Sequence, residues 1–176
     1  MNDGPLQDIR VIDLGHDCSA PFAAALLADF GADVIAVERP GTGDIMRDVG
    51  PSGPTGPVVW KSAGRGKRSL ALDWKHPKSR SVLEKLVRLS DVLVESYRPG
   101  VLERNGLGPD VLHEWNPDLI VLRVSGYGQT GTYGERPGFG KAAEAYSGAC
   151  DISGFPDGPP VHAGFPMAER PAKKST

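Results

Sequence analysis

The sequence predicts an α/β fold, a Rossmann-like, open and mostly parallel sheet with flanking helices, and three observations predict it. A strand–helix–strand rhythm opens the chain, and two parallel strands joined by a helix almost always mean a right-handed crossover. The same rhythm returns between residues 67 and 96. The strand candidates are near-continuous apolar runs, which suits strands covered by helices on both faces.

The elements follow in order. "IRVIDL" (9–14) is a short β-rich run, and "PFAAALLADFGA" after it has Pro21 for a first helical turn and Gly31 for a C-terminal cap. "DVIAVE" (33–38) is the second strand. After a Gly/Pro-rich excursion at 40–57, "KRSLALD" (67–73) reads as strand and "PKSRSVLEKLVRLS" (77–90) as helix. That helix puts Val82, Leu83, Leu86 and Val87 on one face and leaves Lys78, Glu84, Lys85 and Arg88 largely outside it. Glu84 and Arg88 form an i,i+4 pair that contributes a few tenths of a kcal/mol. "DVLVES" (91–96), a short helix near 109–115 and the strand "DLIVLRV" (118–124) complete the pattern. No internal repeat is visible.

Composition narrows the functions. A chain of 176 residues, 39% of them hydrophobic, buries roughly 70% of its unfolded surface, enough for one domain. Twenty basic against 22 acidic residues give a net charge of -2, so neither nucleic acid nor an anionic membrane is an expected partner. No apolar run approaches the ~20 residues of a membrane span, and "MNDGPLQDIR" lacks an export signal, which makes a cytoplasmic protein the expectation. Cys18 and Cys150 read as free thiols, and four scattered histidines, His16, His76, His113 and His162, suggest no metal site.

Open parallel sheets bind ligands beyond the carboxyl ends of their strands, so function is sought in those loops. The first, "GHDCSAP", has no G-x-G-x-x-G, which disfavours a nicotinamide cofactor. Glu38 stands near the place of a ribose-binding acid, or is a strand-end charge beside Arg39. "KSAGRGKRS" (61–69) gathers four cations among glycines, as a phosphate cradle or as a solvated basic loop. "ESYRPG" offers Tyr97 to stack on a flat ring, with Arg98 or Arg104 to pair a phosphate; alternatively Tyr97 covers the sheet. "SGYGQTGTYGERPGFG" (125–140) holds six glycines, suited to close backbone approach around a substrate.

Five stretches in collinear order carry a resemblance: "RVIDLGHDCSAPFAAALLADFGADVIAVERPGTGD", "GKRSLALDWKHP", "DVLVESYRPGVLERNGLG", "NPDLIVLRVSGYGQTG" and "GFPDGPPVHAGFPMA". Together they resemble the family III CoA-transferases, a group that includes formyl-CoA transferase, carnitine CoA-transferase and the α-methylacyl-CoA racemases. The resemblance implies coenzyme A or acyl-CoA as substrate, no permanently bound cofactor, and a carboxylic acid acceptor as the second partner. It places Cys18, Ser19, Arg39, Leu72, Lys75, Tyr97, Arg98 and Arg104 around the CoA nucleotide, with cations on its phosphates and Leu72 and Tyr97 beside its adenine. Each also has a bland reading, with Leu72 as core, Lys75 as a solvated lysine and Cys18 as apolar filler.

In such enzymes an aspartate attacks the thioester, expels CoA thiolate and forms an acyl-enzyme anhydride, which an acceptor acid opens. Counting along "GFPDGPPVHAGFPMAE" puts Glu169 at that place. Glutamate adds a methylene, and a displacement of about an ångström costs on the order of a hundredfold in rate. The family resembled is also about twice this length, with a second domain and a dimer of interlocked rings. The expectation is a Rossmann-like CoA-binding portion over 1–169 and a divergent polar tail at 170–176, truncated or frame-disrupted near Glu169 and impaired or inactive. Phe139 stands where the racemases need an imidazole, which favours transfer over racemisation. The competing expectation is a non-catalytic fragment that binds CoA or associates with other chains, with apolar sheet surface exposed.

Overall fold

A computed structural model describes residues 4–54 and 56–162. Its centre is a five-stranded parallel sheet of β1 (Arg10–Asp13), β2 (Asp33–Glu38), β5 (Lys67–Ala71), β6 (Val92–Glu95) and β7 (Ile120–Arg123), in the order β5-β2-β1-β6-β7. Between β2 and β5 the chain makes a 3₁₀ turn at Ile45–Asp48, a small hairpin of β3 (Ser52–Gly53) and β4 (Gly56–Pro57), and α2 (Val58–Ala63).

The predicted α/β sheet is therefore present, and period-two alternation explains its layers. Val11, Val34 and Val94 face α1 (Ser19–Asp29), whose Ala20, Ala24 and Ala28 are fully buried against them. Small side chains let this helix sit close across β1, β2 and β6. Gly31, with φ 103°, turns the chain back after α1 and donates its N–H to Ala28 O, as its predicted capping role requires. On the opposite face Ile12, Leu14 and Leu93 meet Leu83 and Val87 of α3 (Arg80–Arg88) and Leu112 of α5 (Pro109–Trp115). The predicted helix at 77–90 begins as a 3₁₀ turn, Pro77–Ser79, because His76 Nδ1 accepts the Lys78 N–H and shapes the entry.

One expectation fails in part. The apolar run of β7 reads as buried on both faces, yet Ile120 is 65% exposed and Leu122 41%. Their register partners are Val92 and Val94 on the α1 face. The helix spans β1, β2 and β6 and leaves the outer strand bare. Among the described residues no helix is long and apolar enough to cross a membrane.

Candidate functional site

The carboxyl ends of the strands open onto a cleft of about 1000 Å³. Its floor is set by the loop after β1. Gly15 is required there, since a Cβ at that position would lie 2.5 Å from the Ala20 Cβ. Asp17 adopts φ 71°, a left-handed conformation rare outside glycine that proteins keep where the surroundings enforce it. The His16 N–H donates to Ser96 Oγ at 3.1 Å, and the Ser96 hydroxyl donates back to His16 O at 2.8 Å, tying the loop after β1 to the loop after β6.

This tie aligns an aromatic tier from three loops. The His16 ring stacks on Tyr97 at 4.6 Å, and Trp74 Nε1 donates to the Tyr97 hydroxyl at 3.0 Å. Lys75 Nζ lies 5.2 Å from the Trp74 ring centre and 5.9 Å from that of Tyr97. Desolvation pushes the His16 imidazole below its ordinary value; Asp17 opposes this while Lys75 and Arg39 reinforce it. Burial pushes the Tyr97 hydroxyl up. The tier is thus a neutral, hydrogen-bonded platform beside cations.

Seven of the eight binding positions expected from the sequence, Cys18, Ser19, Arg39, Leu72, Lys75, Tyr97 and Arg98, line this cleft. Arg39, Lys75 and Arg98 are exposed, and among the described residues no carboxylate pairs with any of them. Leu72 packs against the core and also lines the cleft. His16 already covers one face of the Tyr97 ring. Arg104, at the end of α4 (Val101–Arg104), is not in the lining and folds back over Gly100. Glu169 lies outside the described residues.

Two undecided stretches resolve structurally. Arg47 forks onto both oxygens of Glu38 at 2.7 and 2.8 Å, and the Ser69 hydroxyl and Asp44 N–H complete its shell. Burial would raise the Glu38 carboxyl, but these donors hold it at about 2. Glu38 is thus a buttress of the cleft. In the basic segment, Lys67 bonds Asp13 at 2.7 Å with both side chains buried, Arg68 pairs Asp33, and Arg65 pairs Asp29.

Of the glycine-rich loop, Gly126, Gly138 and Gly140 border the cleft, but Gly126 and Gly138 also meet each other; a Cβ on Gly126 would lie 2.5 Å from Gly138 Cα. Sequence reasoning missed His16, Trp74 and the cleft carboxylate Asp44. The first two adjoin positions it did single out, so a search for rings beside the expected ligand positions finds them. Burial, with Asp13, Glu38 and Asp17 nearby, pushes Asp44 up to about 6.

Comparison with known proteins matches residues 6–171 to the model of CoA-transferase family III. The chain is 50% identical, over 91% of its length, to the beta subunit of succinyl-CoA–L-malate CoA-transferase from Chloroflexus aurantiacus, and 44% identical to an alpha subunit of the same name. It is 40% identical, over 96% of its length, to the human succinyl-CoA:glutarate CoA-transferase. It spans 40%, 36–38% and 39% of those relatives. A crystal structure of a CAIB/BAIF family protein from Brucella suis superposes with a TM-score of 0.87 at 33% identity, covering 93% of this chain and 44% of that one.

Proposed function

The chain belongs to CoA-transferase family III, and from that premise we propose that its cleft receives an acyl-CoA whose CoA is exchanged with a carboxylic acid acceptor. The supporting observation is the convergence of seven expected positions, from four separate loops, on one cleft whose three cations have no carboxylate partner among the described residues. Cations left unneutralised at a cleft suit an anionic ligand, and guanidinium forks match phosphate oxygens. On this reading Arg39, Lys75 and Arg98 take the CoA phosphates, and the apolar side of Leu72 with the His16–Tyr97–Trp74 tier takes the adenine.

The Glu169 carboxylate is the proposed nucleophile. It adds to the thioester carbonyl, the C–S bond breaks, and CoA leaves as thiolate, giving a mixed anhydride. The acceptor carboxylate attacks the donor acyl carbon and releases Glu169, giving a donor–acceptor anhydride; Glu169 then attacks the acceptor's carbonyl and expels the donor acid, and CoA thiolate opens this second Glu169 anhydride to give acceptor-CoA and free Glu169. Phe139, at the cleft, has no exchangeable proton for racemisation. The transferase names of the relatives agree with that choice. Association with a second chain belongs to the same reading, because two relatives are named as alpha and beta subunits.

Isothermal titration with CoA, together with hydroxylamine capture after mixing with succinyl-CoA, tests the proposal. The expected result is saturable heat and a hydroxamate at Glu169, with capture lost in Glu169→Gln and increased up to about a hundredfold in Glu169→Asp. Heat without capture would reduce the chain to a CoA-binding unit. No heat at millimolar CoA would overturn the pocket.

A further inference from the structure

Away from the cleft floor, three potential ligands meet. His162, one of the four histidines that look scattered in the sequence, places Nδ1 3.2 Å from Cys150 Sγ and 3.2 Å from Glu144 Oε2. All three ligand atoms lie within 4.8 Å of one another. Glu144 projects from α6 (Gly140–Tyr146), Cys150 follows two turns later, and the Val161 N–H donates to Cys150 O at 3.1 Å, which delivers His162 to the group. Glu144 and Cys150 are buried, and His162 is exposed.

We propose that Glu144, Cys150 and His162 form a binding site for a divalent transition-metal ion of the zinc type. Thiolate, imidazole and carboxylate are the ligand set such ions take, and three protein ligands with an open fourth position is a known arrangement. With zinc bonds of about 2.0–2.3 Å, neighbouring ligands of a tetrahedron stand about 3.3–3.6 Å apart, so the two contacts to Nδ1 open by a few tenths of an ångström while the Cys150–Glu144 pair closes by up to about 1.3 Å. The convergence on a single nitrogen separates this group from a nucleophile–base–acid relay, in which nucleophile and acid occupy opposite nitrogens of the imidazole. A hydrogen on Nδ1 serves either the sulfur or the carboxylate, whereas a cation between the three serves all of them. The exposed edge at His162 gives the ion its entry path and room for a water. Binding would pin the 150–162 segment to α6, whose Gly140 and Ala143 border the cleft.

Cobalt(II) is the probe. Titration of the full chain should saturate at one equivalent with a near-ultraviolet thiolate-to-cobalt charge-transfer band, release a proton as the thiol ionises, and reverse on addition of zinc. The band should vanish in Cys150→Ser and persist in Cys18→Ser. Glu144→Gln and His162→Asn, which preserve size, should each weaken cobalt binding tenfold or more, with circular dichroism reporting that the fold is kept. No band in the parent chain, a band that survives Cys150→Ser, or unchanged affinity in folded Glu144→Gln and His162→Asn would overturn the proposal.

Discussion

Two basic regions of this molecule differ in opposite ways in sequence and in space. The segment 61–69 concentrates four cations, yet Arg65, Lys67 and Arg68 each sit on a carboxylate, Asp29, Asp13 and Asp33 respectively. Arg39, Lys75 and Arg98 are far apart in the chain, and three strand-end loops bring them to one cleft without a carboxylate partner among the described residues. Density of positive charge along a sequence therefore says little about anion binding. What matters is which cations the fold leaves unneutralised, and parallel-sheet topology leaves them at the strand ends.

The two regions differ most at Lys67. Its ammonium also donates to Pro21 O at 2.5 Å, so it links β5, β1 and the start of α1 in a buried position. Lys67→Ala strands the Asp13 carboxylate in the core and should destabilise the fold by about 3–5 kcal/mol, read from urea denaturation. Adding Asp13→Leu should recover most of that loss, because a buried pair replaced by apolar groups is nearly neutral. A single variant with an unchanged midpoint would place Lys67 with the cleft cations.

The reciprocal test is on Arg39 and Arg98. Under the proposed function each makes charge-assisted hydrogen bonds to phosphate, so each alanine variant should weaken CoA binding by about 1.5–3 kcal/mol, roughly tenfold to a hundredfold, in calorimetry. Stability should stay within about 0.5 kcal/mol of the parent, since these side chains are exposed and pair with no carboxylate among the described residues. A variant that lost stability and kept affinity would reverse the contrast between the two regions.

Between the regions lie two carboxylates whose pH dependence has opposite sign. Asp44, raised by burial and by Asp13, Glu38 and Asp17 from 3.8 to about 6, holds its proton more tightly folded than unfolded. Its contribution to stability is full below about 4 and is lost as the pH rises through 6. Glu38, lowered from 4.5 to about 2 once its donors outweigh burial, contributes stability present above 4.5 and lost as the pH falls towards 2. Asp44→Asn should reduce the decline in denaturation midpoint between pH 4 and 6 and leave the acid limb, the remainder belonging to Asp13, whose carboxyl burial also raises; a decline unchanged in the variant would remove Asp44 from it.

Much of the fold is legible from residue pattern, for a physical reason. β1, β2 and β6 are runs of Val, Ile and Leu whose burial is decided by the sheet itself, and the Leu83/Val87 face of α3 is fixed by a 3.6-residue period. The outer face of β7 is not legible, because whether Ile120 is covered depends on how far α1 reaches. α2, α4 and α6 are too short to carry a periodic signal. In the cleft, collinear motifs point to the expected positions, but the His16–Tyr97 stack and the Ser96 tie are made between residues far apart in the chain. The same holds for His162 meeting Cys150 and Glu144, since an apparently scattered histidine gains meaning only when the chain folds back.

The smallest effect is expected at Arg68, and it sharpens the contrast by removing only charge density. Arg68 pairs Asp33 at 2.6 Å, but its side chain is 63% exposed and Asp33 keeps Arg10 at 2.9 Å as a second partner. Exposed pairs of this kind contribute about 0.2–1 kcal/mol, and the remaining arginine compensates part of that. Arg68→Ala should therefore shift the denaturation midpoint by less than about 1 kcal/mol and, lying outside the cleft lining, leave CoA affinity within twofold. A tenfold loss of affinity would make the basic segment part of the ligand's surround, and the dense cluster would regain the role that its ion pairs deny it.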